Sequence, residues 1–187
     1  MYNPAAVIVL DGFGIAPPSD SNAVYLAKKP FFDSLVRNYP HSVITAAGEA
    51  VGLPWQEMGN SEVGHMNIGS GRIVYQELPR INKAVTEGAF FKNQVFLEAV
   101  RHVKENKSKI HLLGLTSQGG VHSHIEHMFA LMEFCKINKL NDVYLHIITD
   151  GRDTPPQVAL DTVQEIYTRI KEIGVGKIAS VSGRYYA

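Results

Sequence analysis

Three apolar runs, Ile110-His111-Leu112-Leu113, Val143-Tyr144-Leu145-His146-Ile147-Ile148 and Lys177-Ile178-Ala179-Ser180-Val181, alternate with helical periods and constrain the fold more than any other feature of the chain. The periods are clearest at Leu160, Val163, Ile166 or Tyr167, and Ile170. They recur at Ile125, Met128, Phe129, Met132 and Cys135, and earlier at Phe96, Val100 and Val103. Mostly continuous apolar runs suit strands covered on both faces, and helices spaced between them suit crossovers between parallel strands. The pattern predicts an α/β fold of layered, mostly parallel sheets flanked by helices. Two further runs, Ala6-Val7-Ile8-Val9-Leu10 and Ser42-Val43-Ile44-Thr45, predict strands nearer the start, beside a Gly-rich stretch from Gly59 to Gly71. Because regular alternation begins only at Arg80, a boundary is expected near Pro79, dividing the chain into 1–79 and 80–187.

Composition narrows the function classes. The 187 residues carry 18 Lys+Arg against 18 Asp+Glu, a formal net charge of zero. There is no basic field for nucleic acid or an anionic membrane, so anion binding must rest on local Arg side chains and backbone N–H groups. The single cysteine, Cys135, cannot form an internal disulfide and lies in a helical period, where a buried inert thiol is expected. No leader or long apolar run is apparent near Met1, and a soluble, cytoplasmic protein is expected. At the other end, a strand and its loop run out at Ala187 where an α/β unit continues into a helix, so the sequence reads as cut.

Asp11 ends the first apolar run and opens Asp11-Gly12-Phe13-Gly14. A carboxylate at a strand end beside glycines can approach a metal or phosphate, and can equally be a turn residue or helix cap. Ser61, in Met58-Gly59-Asn60-Ser61-Glu62-Val63-Gly64-His65, stands before a helical stretch. There its hydroxyl is either an N-cap or a nucleophile whose phosphate ester the helix end would hold. The spacing of glycines is not that of a hydrolase elbow, so a triad is unsupported and metal activation remains. His124 and His127 share a helix face but read as surface or capping residues, whereas His122, in the Gly119-Gly120-Val121-His122 loop, is placed to touch a ligand. In Asp150-Gly151-Arg152-Asp153-Thr154-Pro155-Pro156, Arg152 and Asp153 are either a structural pair or an anion fork with a proton-handling carboxylate. Arg184, in the loop after the last run, adds a second guanidinium, and the three loops together suggest a small-anion site.

At these residues the chain resembles the cofactor-independent phosphoglycerate mutases, which belong to the alkaline-phosphatase-like metalloenzymes. The likeness spans nearly the whole chain. Its specific pieces are Val9-Leu10-Asp11-Gly12-Phe13-Gly14, the Met58–His65 stretch, Gly71-Arg72-Ile73-Val74-Tyr75-Gln76, Gln118-Gly119-Gly120-Val121-His122-Ser123, the Asp150–Pro156 loop and Ser182-Gly183-Arg184-Tyr185-Tyr186. Met66 and Ser70, where the family has Leu and Ala, depart conservatively.

The resemblance implies a metal-bearing phosphatase-like domain, with 1–79 as its first part, and an inserted phosphotransferase domain that begins at 80–187. It implies that Ser61 takes the phosphoryl group of 3-phosphoglycerate and that the glycerate is rephosphorylated at its other hydroxyl. Asp11 and Ser61 would contribute to a pair of divalent ions, Mn²⁺ or in some relatives Mg²⁺, Co²⁺ or Zn²⁺. His122, Arg152, Asp153 and Arg184 would hold substrate, with Asp153 as proton shuttle, in a monomeric parent. The family's other Asp and His ligands, a lysine and further arginines lie past Ala187, so this chain alone is expected to lack turnover. A noncatalytic phospho-ligand-binding module and a related metal-dependent phosphatase are the competing readings.

Overall fold

The structure, a computed structural model, describes residues 3–55 and 57–187. It divides into two compact units, Met1–Tyr75 and Gln76–Ala187.

In the first unit, α1 (Ala23–Leu26) and α2 (Pro30–Asn38) precede a single 3₁₀ turn at Gly48–Val51 and α3 (Ser61–Ser70). Pro30 opens α2 at the position where a missing N–H is harmless. Asn60 caps α3 by accepting from Val63 N at 2.9 Å, and Gly71 ends it in the left-handed conformation. The apolar runs at 6–10 and 42–45 do not form the expected strands. A strand exists only through its ladder, and neither run finds one among the described residues. Apolar character alone therefore misassigned them; Ile8 and Ile44 are both 83% exposed.

The second unit begins with α4 (Glu77–Thr86) and a 3₁₀ turn at Phe90–Lys92, followed by α5 (Gln94–Glu105). From there β1 (Ile110–Thr116), α6 (Ile125–Ile137), β2 (Val143–Thr149), α7 (Ala159–Ile173) and β3 (Lys177–Gly183) alternate as expected. The strands pair in parallel in the order β1-β2-β3. A register irregularity at Leu145/His146 lets β3 realign, after which Thr149 faces Thr116 on one side and Gly183 on the other.

One sheet face is buried. Leu112, Val143, Leu145 and Ile147 meet Met128, Phe129, Met132 and Cys135 of α6 and Ile166 and Ile173 of α7 in a single core, which α5 joins through Val100. Its Phe96 ring also meets Phe134 edge-on at 5.8 Å. Helix α6 is apolar on nearly every side because it lies between the sheet and its neighbouring helices, whereas α5 and α7 are amphipathic. The opposite face differs from the two-sided cover expected of such runs. It carries an exposed Leu113 and a ladder in which His146 Nε2 lies 2.9 Å from His111 Nδ1 and His146 Nδ1 lies 2.7 Å from Ser180 Oγ. Because both crossovers step in the same direction along the sheet, their right-handedness places α6 and α7 on the same side.

Met132 is completely buried at the centre of this core. Met132→Ala is expected to lower the unfolding free energy by about 2–5 kcal/mol through lost burial and the cavity left behind, read as a shift in the urea midpoint.

Candidate functional site

In the first unit, the hydroxyl of Ser61 donates to Asp11 Oδ2 at 2.5 Å. This pairing is possible because Asn60 does the capping, which leaves Ser61 as the first helical residue with its side chain unspent on the helix end. Asp11 likewise caps no helix; it sits in the turn where Phe13 N donates to Leu10 O at 3.1 Å. His65 lies one turn on, with Nδ1 at 2.8 Å from the Ser61 carbonyl and 3.2 Å from its hydroxyl. A carbonyl oxygen can only accept, so Nδ1 carries the proton and cannot serve as base for Ser61. The acceptor of the Ser61 proton is therefore Asp11. Gly59 is required here by close approach, since a Cβ would collide with the Ala46 carbonyl.

In the second unit, the parallel register sets the ends of β1, β2 and β3 side by side, and the residues just past those ends form the cluster. Arg184 Nη1 donates to Asp153 Oδ2 at 2.5 Å and to Asp150 Oδ1 at 3.1 Å. His122 Nε2 lies 3.9 Å from the same Asp153 oxygen, and its ring is exposed. Asp153 therefore pairs with Arg184. The Arg152–Asp153 pair considered from the sequence does not form; Arg152 contributes its backbone N–H to Asp150 and turns its side chain outward.

Sequence reasoning missed Asp150 and Ser117. The Asp150 side chain is only 1% exposed. Its Oδ2 accepts from Ser117 Oγ at 2.5 Å, and its Oδ1 accepts from Arg152 N at 3.0 Å and Asp153 N at 3.1 Å as well as from Arg184. Burial alone would raise the Asp150 pKa, but the hydrogen bonds from Ser117, the two backbone amides and Arg184 outweigh it and hold the carboxyl well below the ordinary range. Its hydrogen bond to Asp153, reinforced by Asp150, raises the Arg184 pKa. An aspartate at the end of a strand-like run and followed by Gly was the available signal, as at Asp11, because such a side chain can turn back onto the amides that follow it.

The remaining candidates are structural. His124 caps α6 by accepting from Glu126 N at 3.3 Å, and His127 meets Asn82 Oδ1 at 2.6 Å. Burial and the nearby His124 lower the His127 pKa. Cys135 is buried in the core, which pushes its thiol up to about 11. Among the described residues no group of three or more His, Cys, Asp or Glu side chains converges as a metal cage, and no helix is long and apolar enough to cross a membrane.

A family model described as the BPG-independent PGAM N-terminus matches residues 81–187. The chain belongs to that family. It is 55% identical over 184 residues to the 2,3-bisphosphoglycerate-independent phosphoglycerate mutase of Clostridium beijerinckii, covering 98% of this chain and 36% of that protein. The enzyme of the same name from Acetivibrio thermocellus is 52% identical over 181 residues, covering 97% and 35% respectively. This member of the BPG-independent family thus spans about a third of the length of these relatives. A crystal structure of Leishmania mexicana phosphoglycerate mutase at low cobalt concentration matches with a TM-score of 0.63 at 33% identity, covering 94% of this chain and 33% of that one.

A carboxyl whose pKa is lowered by folding stabilises the fold above its unfolded pKa of about 4, and that contribution is lost as pH falls toward the folded value. Asp150→Asn is therefore expected to reduce stability at pH 7 by about 1.5–3 kcal/mol, the worth of a hydrogen bond to a charged group. The deficit should shrink as pH falls below about 4, which urea titrations at pH 7 and pH 3 will show.

Proposed function

We propose that this chain supplies the phosphoryl-accepting serine and part of the glycerate-binding loops of a 2,3-bisphosphoglycerate-independent phosphoglycerate mutase, which interconverts 3- and 2-phosphoglycerate. The observation that carries the reading is the Ser61 hydroxyl, released from capping by Asn60 and hydrogen-bonded to the Asp11 carboxylate. Membership of the family supports it.

Ser61 Oγ, its proton passing to Asp11, attacks phosphorus and forms a Ser61 phosphate ester as the bond from phosphorus to the glycerate oxygen breaks. The second half reverses this at the neighbouring hydroxyl: that oxygen attacks the phosphoserine and Ser61 Oγ leaves. Asp153 gives a proton to the glycerate oxygen as it leaves and takes one from the neighbouring hydroxyl as that oxygen attacks. Arg184, whose second Asp partner keeps it in place, meets an anionic group of the substrate. Exposed side chains of Arg152 and His122 complete the anion's surroundings.

The Asp11 carboxylate and Ser61 hydroxyl fit a hard divalent ion, because they are two oxygen donors that converge to within 2.5 Å of each other. They would hold a pair of Mn²⁺ ions together with donors supplied from outside these residues, since two oxygens do not complete one coordination shell. When bound, the ions supply charge neutralisation and lower the hydroxyl pKa.

The test is a chimera in which residues 1–187 replace the matching part of the Clostridium beijerinckii relative, assayed by coupling to enolase. Ser61→Ala should reduce turnover to roughly a thousandth or less and abolish phosphate incorporation into the protein, with the fold unchanged. A near-normal rate would place the nucleophile elsewhere.

A further inference from the structure

Asp150 is too deeply buried to meet a ligand, yet it touches every loop of the second-unit cluster. Ser117 follows β1, Asp150 follows β2 and Arg184 follows β3, and the register of Thr116, Thr149 and Gly183 brings the three abreast. The Ser117 hydroxyl donates to Asp150 and accepts from Gly119 N at 3.0 Å, which ties the His122 loop to the buried carboxylate. Gly119 also lies so close to the second loop that a Cβ there would sit 2.6 Å from the Asp153 carbonyl. The amides of Arg152 and Asp153 complete the set on Asp150 Oδ1.

Both bonds from Arg184 to these carboxylates leave Nη1. The two N–H groups of Nη1 are thereby both engaged, which fixes the plane of the guanidinium. A buried ionic group of this kind is weak evidence for stability, because well-packed apolar groups often serve as well. What apolar groups could not do is set the orientation of a guanidinium and two backbone amides at once.

We propose that Ser117 and Asp150 are positioning residues, a buried pair that holds Arg184, Asp153 and the His122 loop in the arrangement that receives a small phosphorylated hydroxy acid. The ligand class rests on the proposed function; the positioning role rests on the geometry alone. Ser117 acts through Asp150, and Asp150 through Arg184 and Asp153.

The test follows two signals in the 187-residue chain by NMR: hydrogen exchange of the Arg184 guanidinium and the Arg152 and Asp153 amides, and binding of 3-phosphoglycerate. Ser117→Ala is expected to speed that exchange and weaken binding roughly tenfold, the worth of about one hydrogen bond. Amide signals of α5, remote from the cluster, should stay in place. Ser117→Thr, which restores the hydroxyl, should recover both signals. The proposal is overturned if Ser117→Ala leaves exchange and affinity at their original values, or if Ser117→Thr behaves as Ser117→Ala does. Should exchange respond and recover in this way while the unaltered chain binds no 3-phosphoglycerate, the positioning role stands and the substrate reading fails instead.

Discussion

Parallel pairing of β1, β2 and β3 with their ends level is the constraint on which the second unit depends. Thr116, Thr149 and Gly183 stand at one height across the sheet, so the chain leaves the sheet three times at the same edge. Parallel strands need crossovers, and these return the chain to the far edge before each new strand. All three exits are thus gathered where ligands bind in open α/β sheets. Residues far apart in sequence, Ser117, Asp150 and Arg184, become neighbours without any local preference for one another.

The charge arrangement follows from that gathering. A carboxylate as deeply buried as Asp150 is unfavourable unless nearly all its lone pairs are used, and it accepts four hydrogen bonds, one of them from a guanidinium. Asp153, less buried, shares the same guanidinium and faces His122. One aspartate is inward and structural, and the other lies beside the exposed His122 ring. In the first unit the same economy of donors operates locally: Asn60 satisfies the helix end, and the Ser61 hydroxyl is left to Asp11.

Legibility from sequence varied with the range of the interactions involved. Helices α5, α6 and α7 could be read from their apolar spacing, because a helix closes its own hydrogen bonds and needs only one consistent face. The strands of the second unit could be read because helical periods separate them. The runs at 6–10 and 42–45 could not, since strand formation is decided by a partner that periodicity does not name. Within these residues α6 and α7 cover one face of the sheet, because the side on which a helix lands is set by crossover handedness and strand order.

The sequence by itself determined the α/β alternation, the loops in which His122, Arg152, Asp153 and Arg184 lie, and the placing of Ser61 at a helix start, all consequences of local spacing and turn chemistry. Only the tertiary structure decided that Asp153 pairs with Arg184 instead of Arg152, that Ser61 donates to Asp11 instead of capping its helix, and that Asp150 sits buried at the meeting of three loops. These are contacts between residues distant along the chain, and parallel register and turn geometry bring them together at distances that no run of neighbouring residues encodes.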